Sequence, residues 1–109
     1  MVNVQKQFDK AVDIVKNLPK DGPIKPSQDQ QLEFYAHFKQ ANEGDNTGAA
    51  PSAFNFTAKY KYNAWKKLEG MSKEEAQKKY VELLKSVLEQ VNDEESKKYL
   101  AELEAAGQE

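Results

Sequence analysis

The 109-residue chain has no cysteine, no arginine and a single histidine, His37. Without cysteine there are no disulfides, thiolate nucleophiles or cysteine-based zinc sites, and one imidazole leaves most catalytic triads and metal sites without parts. No G-x-S-x-G, P-loop or G-x-G-x-x-G pattern occurs, which removes the nucleophile elbow and the phosphate-cradling loops. An enzyme is therefore not expected, no catalytic or metal-ligating residue is assigned, and no cofactor is implied. The absence of arginine argues against sequence-specific nucleic-acid reading, because arginine is the side chain that pairs bidentately with base edges. No apolar run approaches the roughly 18 residues of a membrane span, so stable membrane insertion is not expected. The first residues, Met-Val-Asn-Val-Gln-Lys-Gln, lack the apolar stretch of a signal peptide, and the expected location is the reducing cytoplasm.

What the chain does have is charge and helix formers. Charged residues make up 31% of it and the mean hydropathy is −0.90, the profile of a polar surface around a modest core. Residues 1–87 carry 14 lysines against 11 acids, and residues 88–109 carry 2 lysines against 7 acids, so a net +3 body precedes a net −5 tail. Valine, isoleucine and threonine together number 11, too few for a β domain, whereas Ala, Leu, Lys, Glu and Gln dominate. A single all-α domain, expected as a monomer, is the implied architecture.

The elements follow from periodicity and caps. A first helix is predicted from Val4 to Leu18, with Val4, Phe8, Ala11 and Val15 on one stripe. Pro19, Gly22, Pro23 and Pro26 enforce a long loop. Ser27 and Gln30 have capping-box spacing and open a second helix that runs through Ala41 to a stop at Gly44-Asp45-Asn46. After the small, polar stretch 46–55, a third helix is predicted from Thr57 to Glu69, ending at Gly70. Ser72 with Glu75 opens a long fourth helix, striped by Ala76, Tyr80, Leu83/Leu84, Val87 and Val91. Asn92 with Glu95 marks the start of a last helix carrying Tyr99, Leu100 and Leu103. The implied division is a bundle over 1–91 and an acidic helical extension over 92–109.

Two segments depart from plain amphipathicity. Tyr35, Phe38 and Lys39 stand at i, i+3 and i+4 on the second helix, which aligns a phenol, an aromatic plane and an ammonium on one face. The segment Thr57-Ala58-Lys59-Tyr60-Lys61-Tyr62-Asn63-Ala64-Trp65-Lys66-Lys67 alternates lysine with aromatics and holds no acid. Rings that stack on a base and lysines that bond phosphoryl oxygens suit a ligand with both groups. The plainer reading makes Tyr35, Phe38 and Phe34 core residues, Lys39, Lys59, Lys61, Lys66 and Lys67 a solvated face, Trp65 a packing anchor, and His37 structural or superficial.

Together with Phe8-Asp9-x-Ala11, the runs Phe34-Tyr35-x-His37-x-Lys39-Gln40-Ala41-x-x-Gly44-Asp45, Pro51, Lys59-x-Lys61-x-x-Ala64-Trp65 and Leu68-x-Gly70-x-Ser72-x-x-x-Ala76-x-x-x-Tyr80 resemble the acyl-CoA-binding protein family from Phe8 to Leu84. The resemblance implies an up-down-down-up four-helix bundle that binds long-chain fatty acyl-CoA esters and carries and pools them without chemical change. It implies that Tyr35, Lys39 and Lys61 hold the phosphates of the CoA head, chiefly the 3′-phosphate. Lys16 and Tyr80 match further ligand-contacting positions, and Leu32 falls where the family lines the acyl chain. Phe38 stands where many members have tyrosine, so it can stack on adenine without a hydroxyl contact. Thr57 replaces a common lysine and Tyr62 a common tryptophan.

Other classes remain to be weighed. None of Ser27, Ser52, Ser72, Ser86 and Ser96 lies in the Asp-Ser-Leu setting of an acyl carrier protein. A helical module docking acidic peptides on the lysine-aromatic face is the alternative function. Weak single-stranded nucleic-acid binding through Tyr60, Tyr62 and Phe38 is a third reading, but no nucleic-acid partner is expected. For the acidic tail, packing on the bundle is weighed against a lid whose carboxylates compete for the lysine site.

Overall fold

The computed structural model describes residues 2–19, 21–52 and 54–109. Five helices account for its regular structure: α1 (Val4–Asn17), α2 (Gln28–Glu43), α3 (Phe56–Lys66), α4 (Lys73–Val91) and α5 (Glu94–Gly107). The up-down-down-up four-helix bundle is α1 to α4, and α5 is added to it. In space α2 and α4 pack centrally, α1 packs on α4, α5 packs on both α1 and α4, and α3 packs on α2 alone.

Each helix begins at a side-chain acceptor that satisfies amide groups otherwise left unbonded at a helix start. Asn3 caps Lys6, Asn55 caps Ala58, Ser72 caps Glu75 and Asp93 caps Ser96. The box at Ser27 is reciprocal: its hydroxyl accepts from the Gln30 amide at 3.1 Å, and the Gln30 side chain accepts from the Ser27 amide at 2.8 Å. Removing the cap of the longest helix, by Ser72→Ala, should cost about 1 kcal/mol and lower the melting temperature by about 4 °C in a thermal scan. The last boundary differs from the one predicted. Asn92 does not start α5; it ends α4 in the left-handed conformation, with φ 53°, and Asp93 is the cap. Asparagine tolerates that conformation better than most residues, so one residue closes a helix and its neighbour opens the next.

The core is one cluster. Phe8, Ala11 and Ile14 face inward from α1, so Ile14 takes the place predicted for Val15, which is only partly buried. From α4, Ala76, Tyr80, Val81, Leu84, Val87 and Leu88 are buried. This face is wider than the predicted stripe because α4 meets α1, α2 and α5 together. Ile24, in the proline-rich loop, is 2% exposed and pins that loop into the core.

Leu103 of α5 is fully buried in the same cluster, with Tyr99 and Leu100 packed against it. The Asn3 amide donates to the Gly107 carbonyl at 2.6 Å, and the Gln7 side chain donates to the Leu103 carbonyl at 3.1 Å, tying α5 to the start of α1. The acidic tail is thus the packed extension, not the lid: it lies against α1 and α4 and makes no contact with α3.

Candidate functional site

Helix α3 buries none of its residues. An amphipathic helix usually docks by covering apolar area, and here Ala58, Tyr62, Ala64 and Trp65 are only half-buried. A polar anchor adds to that partial packing. Gln40 of α2 is 0% exposed; its amide donates to the Met71 carbonyl at 2.8 Å and to the Asp45 carboxylate at 2.9 Å. Its carbonyl oxygen accepts from the indole nitrogen of Trp65 at 3.1 Å, and the same indole N–H reaches the Gly44 carbonyl at 2.9 Å. Asp45 accepts in turn from the Gly70 amide at 2.9 Å. That bond, followed by the one from Gln40, holds the Asp45 carboxyl below its ordinary pKa. Gly70, with φ 92°, occupies the left-handed region where a side chain would be strained. The end of α2, the end of α3 and the turn into α4 are therefore locked by one hydrogen-bond network around a buried amide.

The lock leaves a cleft open between the outer halves of α2 and α3. Its volume is about 680 Å³, and Leu32, Tyr35, Thr57, Tyr60 and Lys61 are among its walls, within the range of sites that take small organic ligands. The Lys61 ammonium lies 5.2 Å from the centre of the Tyr35 ring, a cation–π contact that sets a positive charge at the wall. One turn along α2 from Tyr35, the Lys39 ammonium lies 5.3 Å from the centre of the Trp65 ring. It also bonds the Glu43 carboxylate at 2.6 Å, and this hydrogen bond holds its pKa above the ordinary lysine value. Tyr60 of that wall is 65% exposed, and Phe54 and Phe56, just before and at the start of α3, are exposed by 90% and 69%.

Of the residues singled out from sequence, Leu32, Tyr35 and Lys61 share the cleft, and Lys39 lies on the same α2–α3 seam. Phe38 is half-buried and turned toward the core, its ring 6.3 Å from that of Phe8. Tyr80 is 3% exposed, edge-on to Phe8 at 5.2 Å and tilted on Phe34 at 5.1 Å, and burial pushes its hydroxyl pKa up. Lys16 is exposed in the last turn of α1 and does not line the cleft. His37 bonds the Glu33 carbonyl of its own helix at 2.8 Å, in keeping with a structural part. Sequence reading gave Gln40 no special role, since a glutamine in a helix carries no signal until its partners, 25 and 31 residues away, are known. It likewise missed Phe54 and Phe56, whose exposure only the tertiary packing defines. Among the described residues no group of three His, Asp or Glu side chains could hold a metal ion, and no helix is long and apolar enough to cross a membrane.

The chain is 40% identical over 93 residues to Acyl-CoA-binding protein homolog 3 of Caenorhabditis elegans, covering 85% of this chain and 80% of that protein. It is 40% identical over 89 residues to human Acyl-CoA-binding domain-containing protein 4, but spans only 33% of that longer protein. Among solved structures, the crystal structure of ACBP from Moniliophthora perniciosa superposes with a TM-score of 0.92 at 55% identity, over 96% of this chain and 99% of that one. Oryza sativa Acyl-CoA-Binding Protein 2 superposes with a TM-score of 0.71 at 36% identity, over 81% of this chain and 93% of that one. The family described as Acyl CoA binding protein matches residues 5–84, and the chain belongs to that family.

Proposed function

We propose that this protein binds long-chain fatty acyl-CoA esters and serves as a non-catalytic cytoplasmic carrier and pool of them in lipid metabolism, acting as a monomer. The observation that carries this reading is the cleft in which Lys61 rests on Tyr35 beside Leu32, with Lys39 one helical turn away. Two ammonium groups and a phenol on one seam suit the phosphates of a CoA head. Leu32 and the uncovered rings of Phe54, Phe56 and Tyr60 are apolar surface that a hydrocarbon tail would remove from water. Phe38 and Tyr80 would meet the ligand only at the margin their packing leaves free, and Lys16 from outside the cleft. The binding unit is assigned to residues 1–91, with 92–109 as a brace on its far side.

The two ends of such a ligand contribute differently. A charged hydrogen bond to phosphate is worth roughly 1.5–3 kcal/mol, whereas each sheltered methylene is worth roughly 0.8 kcal/mol. Palmitate should bind weakly because it offers no phosphates to the lysines, and free CoA because it has no tail. Calorimetric titrations with palmitoyl-CoA, free CoA and palmitate in parallel test this. Palmitoyl-CoA should bind far more tightly than either fragment; comparable affinities for all three would overturn the assignment. Lys61→Ala should weaken palmitoyl-CoA binding by roughly ten- to a hundredfold while leaving the melting temperature nearly unchanged, because the side chain is exposed and makes no ion pair among the described residues.

A further inference from the structure

The two lysines on the seam are not equivalent. Lys61 rests on Tyr35 with no carboxylate partner among the described residues, whereas Lys39 is bound to Glu43 at 2.6 Å. Glu43 is the last residue of α2. A carboxylate there lies at the negative end of the helix dipole, where it is unfavourable. The order of the pair, lysine preceding glutamate by four, is also the weaker arrangement for helix stability. The pair is thus poorly placed as a stabilising device, yet it fixes the ammonium of a residue at the site. It turns that ammonium toward the helix end and over Trp65, whose ring is itself held by the indole bonds to Gln40 and Gly44.

We propose that Glu43 is an internal competitor for the ligand phosphate: in the free protein its carboxylate occupies Lys39, and a CoA ester must displace it to recruit that lysine. This rests on the reading that Lys39 meets a phosphate. Glu43 is then an affinity-setting positioning residue that acts through Lys39. The exchange trades one anion for another at the same ammonium, so the protein binds and releases its cargo with less affinity than its lysines alone would give.

The test is a calorimetric cycle with palmitoyl-CoA on the parent protein, Glu43→Gln, Lys39→Ala and the double variant. The side chain of Glu43 is 53% exposed and removing a charge from the wrong helix end is benign, so the fold should persist. Glu43→Gln should tighten binding about threefold at low salt, the scale of one exposed ion pair. The gain should shrink as salt screens the pair and vanish in the Lys39→Ala background. Unchanged or weaker binding by Glu43→Gln overturns the proposal. So does an equal gain with and without Lys39, since Glu43 would then act on the ligand directly. A Lys39→Ala protein that binds as tightly as the parent instead overturns the phosphate role of Lys39, and the competition with it.

Discussion

Replacing Gln40 by leucine should cost about 2–4 kcal/mol of stability and at the same time weaken ligand binding, even though Gln40 does not line the cleft. The amide makes three bonds, to Met71, Asp45 and Trp65. A leucine of similar volume keeps the packing but leaves the Met71 carbonyl without its partner and takes one of two bonds from the Trp65 indole and from the Asp45 carboxylate; a buried polar group left without a partner costs roughly 1–3 kcal/mol. Because the side chains of α3 are only half-buried or exposed, the helix would be held less firmly, and Tyr60 and Lys61 would lose their fixed position opposite Tyr35. Urea denaturation measures the stability. Trp65 is the only tryptophan and lies in the network itself, so its fluorescence reports the seam directly. Unchanged stability together with unchanged emission would show that α3 is held by something other than this network.

Affinity should rise steeply with acyl length, with palmitoyl-CoA binding at least about a hundredfold more tightly than octanoyl-CoA. Eight further methylenes at roughly 0.8 kcal/mol each set an upper limit of about 6 kcal/mol. Ordering a flexible chain and sheltering it in an open cleft recover only part of that, and even half corresponds to more than a hundredfold. The surface that would take the tail includes Phe56, 69% exposed at the start of α3. Phe56→Ser should therefore flatten the dependence on chain length while leaving the weak binding of free CoA unaltered. A series from octanoyl- to palmitoyl-CoA in calorimetry, on parent and variant, checks both parts. A flat series for the parent would place the tail in solvent, and an unaltered slope for the variant would place it elsewhere on the protein.

The helices were legible in the sequence because their signals are local. The Ser27–Gln30 and Ser72–Glu75 spacings mark starts within one turn of chain, and the prolines of 19–26 forbid helix wherever they stand. The boundary at 92–93 was not, because Asn92 and Asp93 are both good caps and only the left-handed backbone at Asn92 decides between them. Ile24 escaped for a related reason: one apolar residue among prolines has no period to reveal its burial.

Of the site, the sequence by itself determined the chemistry: tyrosine, phenylalanine and lysine at helical spacing on α2, an acid-free run of lysines and rings on α3, and the motifs shared with the family. The tertiary structure alone decided which of these side chains meet. It put Tyr35 and Lys61 together across the cleft, turned Phe38 and Tyr80 toward Phe8, and sent the acidic α5 to the face of α1 and α4. The physical reason is that spacing fixes which face of a helix a residue occupies, while the neighbour of that face is set by the closing of contacts distant in sequence. Here the deciding one is a glutamine whose value lies wholly in partners that the fold brings to it.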